Sequence, residues 1–153
     1  DRDTLWYASN RHPRFAADLP RGVHALSNHL LDTPWPKLRR LRERLTTWLE
    51  TASESPGETA SSLEPLWTAL TDDERAAPDA LPSTGVSPEW EHLLSSAFIR
   101  HADYGTRCST LVLVGHDDSL DIEERSYATD GGIRERVRWR ADPNMWPPAP
   151  VRV

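Results

Sequence analysis

Cys108-Ser-Thr-Leu-Val-Leu-Val114 carries apolar side chains on both alternating faces of one short run, the pattern of a central strand covered from two sides. Downstream, residues 115–119 (Gly-His-Asp-Asp-Ser) turn the chain, and residues 122–128 form the hairpin partner. After Asp130-Gly131-Gly132, residues 133–140 alternate strictly: Ile133, Glu135, Val137 and Trp139 against Arg134, Arg136, Arg138 and Arg140. That is a strand with one wet face, its arginines answering Glu123 and other acids. Residues 144–150 are Pro-rich and read as a tail.

Upstream of Cys108 the apolar period is helical. Ser87-Pro88-Glu89 starts a helix with Ser as cap and Pro at its first position; its buried face holds Trp90, Leu93, Leu94, Ala97 and Phe98, and it stops near Arg100. An earlier helix, capped by Ser61 or Ser62, presents Leu63, Leu66, Trp67 and Leu70, with Pro65 in its first turn. The strongest helix follows Asp32 or Thr33 as cap and Pro34 near its start. It carries Trp35, Leu38, Leu41, Leu45, Trp48 and Leu49 on one face and runs to about Thr51. Residues 53–61 are an exposed loop. Residues 5–9 read as a strand, and a second short strand is expected around 22–26. The order is that of an α+β fold with an antiparallel sheet and a three-helix block. A strand buried on both faces needs two covering layers, of which the helices supply one; the other is expected from residues outside the chain or from a partner.

With 153 residues, 37% hydrophobic and 27% charged, the composition is that of one soluble globular domain. No apolar run approaches the roughly 20 residues that span a bilayer, and no signal peptide follows Asp1-Arg2-Asp3. A net charge of −6 argues against bulk affinity for nucleic acid or anionic membrane. One cysteine, Cys108, excludes an intrachain disulfide and fits a reducing, cytoplasmic setting; its place in the strand pattern suggests a small buried hydrophobe rather than a catalytic thiol. Seventeen Arg against the single Lys37 suggest a GC-rich bacterial coding bias. The chain opens on Asp1 rather than Met, which points to processing or to a piece of something longer.

Gly22-Val-His-Ala-Leu-Ser-Asn-His-Leu-Leu-Asp-Thr-Pro-Trp-Pro-Lys37 concentrates polar side chains just ahead of a helix N-terminus, where free backbone N–H groups can hold an anion or a carbonyl oxygen. Asp32 can simply cap that helix and Trp35 can be core. Ser27 and Asn28 can donate to a developing oxyanion or hydrogen-bond within a turn. His24 and His29 stand five positions apart, which suits neither helix nor strand for sharing a metal, so no metal site is expected. Tyr104-Gly-Thr-Arg-Cys-Ser109 delivers Arg107 at the mouth of the apolar strand, either to clamp a carboxylate or to close a strand-end ion pair.

Trp6-Tyr-Ala-Ser-Asn-Arg11, the stretch from Gly22 to Lys37, Leu81-Pro-Ser-Thr-Gly85, Glu89-Trp90-Glu91 and Tyr104-Gly-Thr-Arg-Cys-Ser109 together resemble the second half of the Asn-Arg-Asp-Glu family, also called transport and Golgi organisation 2 proteins. The resemblance implies a four-layer αββα sandwich similar to N-terminal-nucleophile hydrolases, and it makes residues 1–153 a single partial domain whose N-terminal portion lies elsewhere. The chain departs from the family at its front: Asn10-Arg11 is followed by His-Pro, and neither the N-terminal Cys nor the Asn-Arg-Asp-Glu motif is present.

Members of that family are linked to haem trafficking. The expected function is therefore non-catalytic, the carriage of haem or a related small hydrophobic ligand, with Ser27, Asn28, His29, Asp32, Trp35, Tyr104 and Arg107 as candidate ligand-binding residues. The expected partners are that ligand and the missing N-terminal segment. The alternative is an amidohydrolase of the N-terminal-nucleophile type acting on C–N amide bonds. Its Cys nucleophile would lie outside this chain, with Asn28 holding the oxyanion and Arg107 orienting a substrate carboxylate.

Overall fold

Antiparallel pairing joins the six strands described in the computed structural model, in a two-stranded sheet β1-β2 and a four-stranded sheet β3-β4-β5-β6. The structure describes residues 5–11, 15–54, 62–142 and 149–151. Contacts divide the chain into two units, residues 1–98 and 99–153, each taken by itself below.

In the first unit, β1 (Leu5–Ala8) pairs with β2 (Ala16–Leu19), Leu5 opposite Leu19 and Ala8 opposite Ala16. Residues 22–26 are loop, not strand. Pro20 ends β2, Gly22 sits at φ 146°, and His24 is tied back onto the Pro20 carbonyl, so the backbone folds on itself instead of extending. Helix α1 (Pro36–Glu54) begins later than expected. A residue before proline is disfavoured in helical backbone, which holds Thr33 and Trp35 outside the helix. Neither is Asp32 its cap: at φ 56° its carboxylate turns to Ala25 and His24. The helix also continues through Ser53 and Glu54; the rest of the expected loop, residues 55–61, lies outside the described residues.

Helix α2 (Glu64–Leu70) starts after Leu63, with Pro65 in its first turn as expected. Ser62 is not the cap itself, although its hydroxyl accepts from the Glu64 N–H at 3.3 Å. Helix α1 packs on α2. Arg40 Nε (3.2 Å) and Arg44 Nη2 (3.3 Å) meet the carboxylate of Asp72, and Trp48 Nε1 donates to the Ser62 carbonyl at 3.0 Å. Helix α3 (Pro88–Leu93) has the expected Ser87 cap, whose hydroxyl accepts from the Trp90 N–H. It ends at Leu93 rather than near Arg100. The Ser95 hydroxyl donates to the His92 carbonyl, Ser96 donates to Phe98, and the Phe98 N–H is taken by Asp72, which leaves no ladder to continue. Leu38, Leu66, Trp67, Ala69, Ala76, Leu93 and Phe98 form this unit's core, whereas Trp90 of the expected buried face is exposed.

In the second unit, β3 (Cys108–Val114), β4 (Leu120–Tyr127) and β5 (Ile133–Ala141) follow the expected meander. The β4–β5 turn uses Gly131 at φ 83°, where a Cβ would stand 2.8 Å from the Arg100 guanidinium carbon. Among the described residues β3 is an edge strand and not a central one, since only β4 pairs with it. Its Val112 and Val114 are 59% and 71% exposed, and Cys108 on the same face is exposed rather than buried. On the opposite face Arg138 forks onto Asp121, which Arg140 also reaches at 2.9 Å, while Arg125 meets Glu123 at 3.0 Å. The expected tail contributes a further strand, β6 (Ala149–Val151), against β5. Pro150 is tolerated there because β6 forms the other edge of the sheet. Residues 143–148 lie outside the described residues.

Candidate functional site

A cleft of about 510 Å³ opens in the first unit where the loop before α1 meets the loop before α3 and the end of α3. Its walls mix apolar Trp35, Pro36, Pro82 and Leu94 with polar Asn28, Ser83, Thr84 and Ser95, and bring in Arg11, His29, Lys37 and Glu91. That lining is more polar than the mostly apolar walls usual for a small-molecule site, with several charged groups converging on one concave surface.

Each wall has a local cause. Pro34 and Pro36 delay the start of α1, so Trp35 and Lys37 stand at its mouth. Lys37 Nζ donates to the Leu94 carbonyl at 2.8 Å and lies 5.9 Å from the Trp35 ring centroid. Burial of this ammonium pushes its pKa below the ordinary 10.5. Glu91 is buried, and its Oε1 accepts from both the N–H and the hydroxyl of Thr84. The Ser95 hydroxyl accepts from the Ala76 N–H at 2.8 Å.

His29 presents a defined tautomer. Thr33 gives its one hydroxyl proton to the Leu30 carbonyl at 2.7 Å, so at 3.0 Å it accepts from His29 Nδ1–H. The neutral ring therefore keeps its lone pair on Nε2. The ring also lies 5.8 Å from Trp35.

His24 is the opposite case. Its Nδ1 faces the Asp32 carboxylate at 2.7 Å and its Nε2 faces the Pro20 carbonyl at 2.9 Å, and both are acceptors. Only the imidazolium form, with a proton on each ring nitrogen, can donate to both. The hydrogen bond to Asp32, then that to Pro20, raises the His24 pKa above 6.5. The same bond, with that from the Ala25 N–H, lowers Asp32 below 3.8; Arg42, 3.5 Å away, adds to this effect. A raised histidine stabilises fully below 6.5 and loses that contribution as pH climbs through its folded pKa. A depressed aspartate stabilises above 3.8 and loses its contribution as pH falls through its own folded pKa. The 20–32 loop is thus expected to be tightest between about pH 4 and 6.5 and to loosen above that range. An NMR titration of the His24 ring and the Ala25 amide checks this: a His24 midpoint at or below 6.5 would contradict the double-donor geometry.

Of the residues expected to bind a ligand, Asn28, His29 and Trp35 line the cleft, and Ser27 and Asp32 do not. Tyr104 and Arg107 belong to the second unit, where both are exposed. Sequence reasoning did not single out Arg11, Pro82, Thr84 or Glu91 as site residues, although each lies in a segment that carries the family resemblance: Trp6 to Arg11, Leu81 to Gly85 and Glu89 to Glu91.

Fold and site together define a mixed α/β protein with antiparallel sheets and a half-polar cleft in its helical unit. A family model described as Transport and Golgi organisation 2 matches residues 1–129, and the chain belongs to that family. It is 34% identical over 129 residues to the Transport and Golgi organization protein 2 homolog of Bos taurus, covering 81% of this chain and 45% of that protein. The homolog of Homo sapiens is 29% identical over 127 residues, with 81% and 45% covered. That of Mus musculus is 30% identical over 144 residues, with 92% and 50% covered. The chain thus spans about half the length of these curated relatives. No helix among the described residues is long and apolar enough to cross a membrane.

Proposed function

We propose that this chain supplies a ligand-binding cleft for haem or a similarly flat, hydrophobic, acid-bearing molecule, carried and not chemically transformed. The observation behind this reading is convergence. Four segments of the first unit that carry the family resemblance, spread between residues 6 and 91, each send at least one residue into the same cleft, Arg11, Trp35, Thr84 and Glu91 among them. Trp35, Pro36, Pro82 and Leu94 offer an apolar bed, Arg11 and Lys37 offer cations for acidic groups, and His29 Nε2 offers a lone pair suited to a metal at the centre of a macrocycle. His24 offers none, because both its ring nitrogens are already committed.

Haemin titrated into the protein is expected to give a shifted Soret band that saturates at micromolar concentration. His29→Ala is expected to alter the band without abolishing binding, since the bed and the cations remain. His24→Ala should leave the band shape unchanged. An unshifted Soret band at micromolar protein would rule this reading out.

We further propose that the sheet of the second unit forms part of a four-layer αββα sandwich, its Val112 and Val114 face being one that a further layer covers. This is supported by the exposure of that face and by the length of the relatives beyond the matched half.

A further inference from the structure

Lys37 holds an unusual position for a lysine. It is the only lysine in the chain, half-buried at the start of α1, with one hydrogen bond to the Leu94 carbonyl and the Trp35 ring beside it. Among the described residues no carboxylate lies within ion-pairing distance of its Nζ. The one acid in the cleft wall, Glu91, has an oxygen turned to Thr84, and the other charged or titratable groups facing the cleft are Arg11 and His29. An ammonium has three donors, of which one is spent on Leu94. The remaining two belong to a partly desolvated cation that meets no counter-ion among the described residues, an arrangement an anion would complete.

We propose that Lys37 is the anchor for an organic carboxylate in this cleft, the ligand's acid group accepting from the lysine Nζ while its flat apolar body lies against Trp35 and Pro82. This rests on reading the cleft as the ligand site and adds the chemistry that selects the ligand: an acid, whether a small aromatic carboxylate or the propionate of a porphyrin, over the same skeleton without its charge. The carboxylate supplies the missing counter-ion, so binding raises the Lys37 pKa from its depressed value. Affinity falls as pH rises through that pKa, because the neutral amine offers no charge. Arg11 adds to the positive field without competing for the Nζ donors, and Glu91 opposes the ligand only weakly while Thr84 holds one of its oxygens.

The single lysine makes the test clean. Incorporation of lysine ¹³C-labelled at Cε gives a single side-chain signal, that of Lys37, and its absence from a Lys37→Arg control identifies it. The probes are 2-naphthoate and its uncharged counterpart 2-naphthamide, followed by the ¹³C shift against pH and by naphthalene fluorescence. Naphthoate is expected to move the Lys37 signal, to raise its titration midpoint by about one unit, and to bind about tenfold tighter than the amide. Lys37→Met is expected to remove that tenfold preference. Equal binding of acid and amide, with the Lys37 midpoint unmoved, would overturn the lysine's role and leave the cleft as a ligand site. A Soret shift with haemin while neither naphthalene probe touches the Lys37 signal would likewise overturn it. If haemin and both probes all fail to bind, the reading of the cleft falls with it.

Discussion

Truncating Phe98 to alanine is expected to cost about 3–5 kcal/mol, among the large losses expected from the described core of the first unit. Its ring is 1% exposed, the least of any large side chain described. Its backbone is pinned as well, the N–H by the Asp72 carbonyl at 2.8 Å and the carbonyl by the Ser96 hydroxyl at 2.8 Å. Those bonds hold the residue in place after truncation, so the site cannot collapse and the cavity term stays. Total stability for domains of this size is about 5–15 kcal/mol, so one substitution removes about a fifth or more of it. Phe15→Ala, at a residue 73% exposed, is the matched control and should change stability by no more than about 0.5 kcal/mol. Urea melts of the two variants decide the matter. A loss below about 1 kcal/mol for Phe98→Ala would show that the ring is not packed as described.

The second large effect concerns association. The 153-residue chain by itself is expected to run above monomer size in gel filtration and to bind a hydrophobic dye, or to be insoluble, and a segment equivalent to the uncovered part of its relatives, supplied in trans, is expected to restore a compact species. Edge strand β3 presents unpaired backbone groups along its free side, while Val112 and Val114 stand 59% and 71% exposed on one face. An open edge next to an apolar face is a template for pairing with another chain. Lysine on an edge strand is the usual deterrent, so Val112→Lys/Val114→Lys should return the chain toward monomer. Cys108 lies exposed on the same face, so the measurement is run under reducing conditions to separate strand pairing from disulfide exchange. A monodisperse monomer with one sharp unfolding transition would show that these residues close their own core.

Local signals carried much of the fold. Ser87-Pro88 announced α3, Asp130-Gly131-Gly132 announced the β4–β5 turn, strict alternation announced β5, and the leucine and tryptophan spacing announced α1. Each depends on hydrogen bonds or periodicity within a few residues, so the amino-acid order suffices to reveal it. Of the site, Asn28, His29 and Trp35 were legible because they crowd one polar stretch ahead of a helix.

Everything that required residues from separate segments escaped that reasoning. Asp32 had every local mark of a helix cap, yet its carboxylate is taken by His24, eight residues back. The apolar run of β3 matched a central strand, and its place at the edge depends on which strands pair with it. Lys37 reaches the Leu94 carbonyl 57 residues away, and Glu91 from α3 and Thr84 from the loop before it join the same wall. The order of residues by itself determined most of the helices, the β3–β5 meander with its turns, and the family to which they belong, because those are written in short-range chemistry. Only the tertiary structure decided which side chains share a cleft and which strand lies at the sheet edge among the described residues, because those follow from chain segments meeting through space.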